Sequence, residues 1–87
     1  MDKDRRRHAR ALIERAIALT GSEQKLAAAC GVTQPAIWKA KTLGRPSARL
    51  ALAIHRVTGG DVPASALRPD LWASPDHVPA SGHGAPG

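Results

Sequence analysis

Gly31 constrains this chain more than any other residue. It separates two stretches whose apolar residues recur at three and four, the spacing of one face of a helix. One helix must therefore stop at Gly31 and the chain must turn sharply into the next. A glycine directly after a helical stretch suits the left-handed turn that residues with a Cβ adopt reluctantly. The residues on either side agree with this reading over the whole of 22–45, SEQKLAAACGVTQPAIWKAKTLGR. Ser22 is predicted to cap the helix before the turn, its hydroxyl accepting one of the first free amides. Leu26, Ala27 and Cys30 form the inner face of that helix, and Ala27 is small where a second helix must pass close by. Val32 plugs the gap between the two.

Thr33 then caps the second helix of the pair, and Pro35 falls in its first turn, where a missing amide costs little. Ile37 and Ala40 lie three apart and face inward. Gln34, Trp38, Lys39, Lys41 and Thr42 are left for the outer surface. A helix, a tight turn and a second helix carrying polar and basic groups outward is the pattern of a helix-turn-helix.

The remaining chain reads as support. Residues 1–7, MDKDRRR, form a charged arm, and Arg5, Arg6 and Arg7 oppose the dipole of any helix starting there. The arm is expected to fray or to be held by something anionic, such as a DNA backbone or minor groove; a solvated charged terminus is the other reading. A domain is expected over 8–72. Its first helix, from His8 to Thr20, is amphipathic, with Ala9, Leu12, Ile13, Ala16, Ile17 and Leu19 on the inner side and Glu14 and Arg15 outside. Leu43 and Gly44 close the third helix, and Ser47 caps a fourth over about 48–58 with Leu50, Ala51, Ile54 and Val57 on one side. Gly59 and Gly60 stop it. A turn and a short fifth helix follow over 61–67, and Leu71 and Trp72 fold back as an apolar lid. Residues 73–87, ASPDHVPASGHGAPG, have too few apolar groups to order themselves and are expected to be a disordered tail. The fold class is all-α, a compact bundle of four to five helices.

Composition sharpens this. With two Trp and no Phe or Tyr, the core must be Ala, Leu, Ile and Val, which suits close-packed helices. Thirteen Lys and Arg against seven Asp and Glu leave a charge of +6, which favours a polyanionic partner. Cys30 is the only cysteine, so no intramolecular disulfide forms, a reducing compartment is expected, and the thiol reads as a small core residue. The longest apolar run, 26–32, is far short of the roughly 20 residues of a membrane span. Glu14 and Arg15 interrupt the stretch that would serve as a signal peptide. His8, His55, His77 and His83 lack metal-ligand spacing, and His55 reads as a surface residue. The carboxylates are scattered and no phosphate loop follows a strand, so neither an enzyme nor a cofactor is expected.

The run GVTQPAIWKA resembles the recognition region of phage Cro proteins. The longer stretch 12–72 resembles the YdaS-like branch of the Cro/CI helix-turn-helix family, through Gly21-Ser22, Leu26-Ala27, Gly31-Val32, Gln34, Gly44-Arg45, Ala53-Ile54, Thr58-Gly59-Gly60 and Leu67-Arg68-Pro69-Asp70. The chain departs from the family pattern at Glu23, where Gln is common, and at Trp38, where a polar residue often sits.

The resemblance implies a lambda-repressor-like DNA-binding domain that reads the major groove of double-stranded DNA with the helix starting near Gln34. Gln34 and Lys39 match base-reading positions. Their chemistry agrees, since Gln pairs bidentately with adenine and Lys donates to guanine O6 and N7. Trp38 could pack on a thymine methyl or a sugar, or against a neighbouring helix or second subunit. Phosphate contacts are expected from Ser22, Gln24, Thr33, Lys41, Thr42, Arg45 and Ser47, at helix N-termini and the far end of the reading helix. About six neutralised phosphates would give a log–log salt slope of roughly −5. The family implies a cytoplasmic, nucleoid-associated regulator, bacterial or phage-encoded, dimeric on half-sites about one DNA turn apart, repressing a prophage or mobile-element operon. Two other readings stay open: an antitoxin or adaptor whose main partner is a protein, and a non-specific nucleic-acid-binding protein.

Overall fold

Five helices follow one another along the chain: α1 Asp2–Thr20, α2 Glu23–Cys30, α3 Gln34–Leu43, α4 Ala48–Val57 and α5 Ala64–Leu67. They come from a computed structural model that describes residues 2–72, with side chains from Lys3 onward. The expected disordered tail, with His77 and His83, lies outside the described residues. Among the described residues all regular structure is helical, as the all-α reading requires.

The arm expected over 1–7 is not separate from the first helix. α1 begins at Asp2 and runs for 19 residues, about 28 Å. Ala9, Ile13 and Ala16 form its buried stripe, with Leu12 and Ile17 at the margins. Leu19 was expected inside but is 54% exposed, because it lies at the edge of that stripe in the last turn. The helix ends where the Gly21 amide donates to Ile17 O at 2.7 Å.

The capping expectations are met by hydrogen bonds. Ser22 Oγ accepts from the Lys25 amide at 3.0 Å, Thr33 Oγ1 from Ala36 at 3.3 Å, and Ser47 Oγ from Leu50 at 3.1 Å. Each satisfies one of the orphan amides that open a helix, worth about 1 kcal/mol. Gly31 ends α2 at φ 74° and Gly44 ends α3 at φ 64°, both left-handed.

α2 and α3 pack on each other and on α1; α4 closes over α2, and α5 bridges α4 and α1. The core they enclose is aliphatic. Ile13, Leu26, Ile37, Ile54 and Val62 are fully buried, one from each of the first four helices and one from the segment before α5, and small Ala16, Ala27, Ala40, Ala51 and Ala53 let the helices approach. Trp72 packs against this core, whereas Leu71 is exposed, so only half of the expected lid closes.

Polar ties hold the periphery. His55 is not the free surface residue its sequence position suggested. It is half-buried, and its Nδ1 accepts from the Ala64 amide at 3.1 Å, supplying the cap that Pro63 cannot give α5. Thr58 Oγ1 accepts from the Val62 amide and donates to Ile54 O, bracing the glycine corner. Arg68 donates Nη1 to Pro46 O at 3.1 Å and grips both oxygens of Asp70 at 2.8 and 2.9 Å, tying the chain after α5 to the α3–α4 connection.

Candidate nucleic-acid interface

α3 is a two-sided helix. Ile37 and Ala40 are buried and Ala36 is half-buried, which fixes its roll against α1 and α2. That roll leaves Gln34, Pro35, Trp38, Lys39 and Thr42 exposed. Trp38 is 56% exposed. Packing against a neighbouring helix of the same chain therefore does not account for it. A large aromatic in water beside a lysine and a glutamine makes this face chemically mixed: an apolar plate, a cation and an amide that both donates and accepts.

The first turn of α2 lies alongside α3. Glu23 Oε2 accepts from Lys41 Nζ at 2.6 Å, and both side chains are about four-fifths buried, at 21% and 19% exposure. The Lys41 hydrogen bond holds the Glu23 carboxyl below its usual range against the opposing effect of desolvation, with a smaller contribution from the Gln34 side chain. This bears on Lys41 and on Glu23, where the chain departs from the family pattern. Lys41, expected among the phosphate contacts, is spent on Glu23 and is not an open cation. Glu23, a poor neighbour for a phosphate by its charge, is neutralised internally. The spacing of 18 residues between the two gave no signal of this pairing.

The other phosphate candidates divide by geometry. Ser22, Thr33 and Ser47 each stand at a helix N-cap, and each hydroxyl oxygen already accepts from a backbone amide. A hydroxyl has one proton to donate as well, so the capping bond leaves it able to donate to a phosphate oxygen. Gln24 is exposed in the first turn of α2. Thr42 and Arg45 are exposed at the far end of α3, and both line a cleft of about 520 Å3.

That cleft was not visible in the sequence. It gathers Arg5 and Arg6 of α1, Thr42 and Arg45, and Arg68 and Asp70 around one space. Asp70 is held down to about 2, first by its hydrogen bonds from Arg68 and more weakly by the charge of Arg45. Cys30, by contrast, is buried and its thiol is pushed up by that burial, opposed by the charge of Arg56. It is a poor nucleophile, in keeping with a packing role.

The model of one protein family, described as Bacterial toxin YdaS, matches residues 13–75, well over half of the chain. The chain belongs to the YdaS family. The match takes in α2, α3, α4 and α5 and the second half of α1 from Ile13, so every site residue named above except Arg5 and Arg6 lies within it. YdaS membership makes this a small bacterial protein of the regulator-like or toxin–antitoxin kind. No curated protein and no solved structure matches the chain. Among the described residues, no helix is long and apolar enough to cross a membrane, and no group of three potential metal ligands comes together.

Proposed function

We propose that this YdaS-family protein is a sequence-specific regulator that binds double-stranded DNA and acts in the bacterial cytoplasm as a Cro-like repressor of a prophage or mobile-element operon. α3 enters the major groove. Gln34 and Lys39 read base edges, and Trp38 covers a thymine methyl or a sugar. Gln24, Thr42, Arg45 and the hydroxyls of Ser22, Thr33 and Ser47 hold the backbone on either side. The protein performs no catalysis and needs no cofactor; it binds as a homodimer, formed either through the region around Trp72 or only on the DNA. The observation that carries this reading is the sidedness of α3, whose roll is set by buried Ile37 and Ala40 and which turns Gln34, Trp38 and Lys39 to solvent.

Selection of bound duplexes from a random DNA pool tests it, with a Gln34→Ala, Lys39→Ala variant in parallel. An enriched inverted repeat with half-sites about 10 base pairs apart, lost in the variant, is the expected result. Salt-sensitive binding without enrichment would overturn sequence reading and leave a non-specific nucleic-acid binder.

The description of the matched family as a toxin favours a second reading, in which a protein partner in a toxin–antitoxin pair is the main target. Growth arrest on induced expression separates the two. Arrest abolished by Gln34→Ala, Lys39→Ala acts through DNA; arrest that survives those changes acts elsewhere.

A further inference from the structure

We infer that the cleft between the start of α1 and the end of α3 is a phosphate-binding subsite built from Arg5, Arg6 and Arg45. It extends the DNA-binding reading but does not depend on it, because a free phosphorylated molecule offers the same chemistry as a strand backbone.

Four guanidiniums and one carboxylate line the cleft. The carboxylate is already committed: Asp70 takes two hydrogen bonds from Arg68, whose third goes to Pro46 O. Arg68 and Asp70 therefore form a neutral, fixed wall. Arg5, Arg6 and Arg45 take part in no ion pair among the described residues. Like charges gathered around one cleft repel one another, and Arg residues early in α1 also oppose its dipole. An anion seated between them relieves both. Guanidinium is the group suited to this, since its planar fork meets phosphate oxygens two at a time.

The site is also held in shape. A Cβ on Gly44 would fall 2.6 Å from Arg6 Cα, Cβ and O, so the backbone of α1 rests directly on the turn that ends α3. Arg5 and Arg6 are thus fixed to the same turn that carries Arg45. Thr42, in the last turn of α3 and also lining the cleft, adds a hydroxyl donor. At about 520 Å3 the cleft falls within the range of small-ligand sites. It also adjoins the end of the proposed reading face, where a flanking backbone phosphate would arrive.

The experiment uses the full chain and an Arg5→Gln, Arg6→Gln variant. An Arg5→Lys, Arg6→Lys variant keeps the charge, and Arg56→Gln removes a charge elsewhere. Inorganic pyrophosphate is titrated by calorimetry and by amide NMR shifts at Thr42, Gly44 and Arg45. DNA affinity is measured against salt. If the subsite takes backbone phosphate, the Gln variant loses roughly 1–2 from the magnitude of the log–log salt slope with its selected sequence unchanged. The Lys variant restores the slope, and Arg56→Gln keeps it. If the subsite takes a free phosphate, pyrophosphate binds the wild type at these amides and fails to bind the Gln variant, while the DNA slope stays the same. Should the Gln variant lose helicity, Arg45→Gln, on a different element, is scored by the same readings. Unchanged slope and no cleft-specific pyrophosphate shift overturn the subsite. The two proposals fail separately: specific DNA binding with those negatives removes only the subsite, and pyrophosphate binding without DNA binding removes only the DNA reading.

Discussion

The turns at Gly31 and Gly44 are locally the same object and do different jobs. Each glycine is left-handed, and the hydrogen bonds match: Gly31 N–H to Ala28 O and Val32 N–H to Ala27 O in one, Gly44 N–H to Lys41 O and Arg45 N–H to Ala40 O in the other. A serine or threonine then caps the next helix in both. Their surroundings separate them. A Cβ at Gly31 would meet nothing within 4 Å, whereas one at Gly44 would strike the backbone of Arg6. Gly31 is a turn and Gly44 is a joint, where α1, α3 and the α3–α4 connection converge. The same short-range signal therefore says that the chain turns, and only the neighbours say whether anything depends on how closely it can be approached.

Substitution should expose the difference. Gly44→Ala adds left-handed strain of about 1–3 kcal/mol to overpacking of about 1–3 kcal/mol. Chemical denaturation should show a loss of at least about 2 kcal/mol, by the smaller end of each. Gly31→Ala has the strain alone and should lose about 1 kcal/mol. Equal losses at the two positions would break the comparison.

Arg68 is the second tie at the Gly44 joint. Arg68→Ala strands the buried Pro46 carbonyl and the Asp70 carboxylate, and should cost about 1–3 kcal/mol by the same assay. Arg15→Ala removes a pair of similar length, 2.8 Å, but one that is half exposed on both sides, and should cost no more than about 1 kcal/mol.

Acid should loosen the joint too. Asp70 falls from 3.8 to about 2 on folding, through its bonds from Arg68. A carboxyl that is more acidic when folded contributes stability above pH 3.8 and loses it as the pH falls toward 2. Glu23, lowered by Lys41, and Asp61, lowered by Arg15, act with the same sign. Thermal unfolding between pH 5 and 2 should therefore show falling stability, and Asp70→Asn should flatten that fall. The smallest effect belongs to Gly31→Asn, since Asn tolerates the left-handed region. It should leave stability within a few tenths of a kcal/mol.

Much of the fold was legible from short-range chemistry. Ser22, Thr33 and Ser47 cap where their hydroxyls predict, the glycines stop the helices, and Ile37 and Ala40 turn inward by helical periodicity. Leu19 and Leu71 were misread at the edges of the core, and the other misreadings share one feature, a partner on another element. Lys41 looked like an outward cation until Glu23 lay beside it. His55 looked like a surface residue until the Ala64 amide reached its Nδ1. The charged segment 1–7 looked like an arm because its arginines oppose a helix dipole, yet α1 starts at Asp2 and its backbone rests against Gly44.

By itself, then, the sequence determined where each helix of 22–57 starts and stops, and which face of α3 turns outward. Capping, glycine turns and apolar spacing act over four residues or fewer, and they leave their mark in the order of the letters. Only the tertiary structure decided which outward groups remain open to a partner. It closed Lys41 onto Glu23, and it gathered Arg5, Arg6 and Arg45 around one cleft. Electrostatics and close packing depend on distances in space, and residues 39 places apart in sequence become neighbours only once α1 lies across the end of α3.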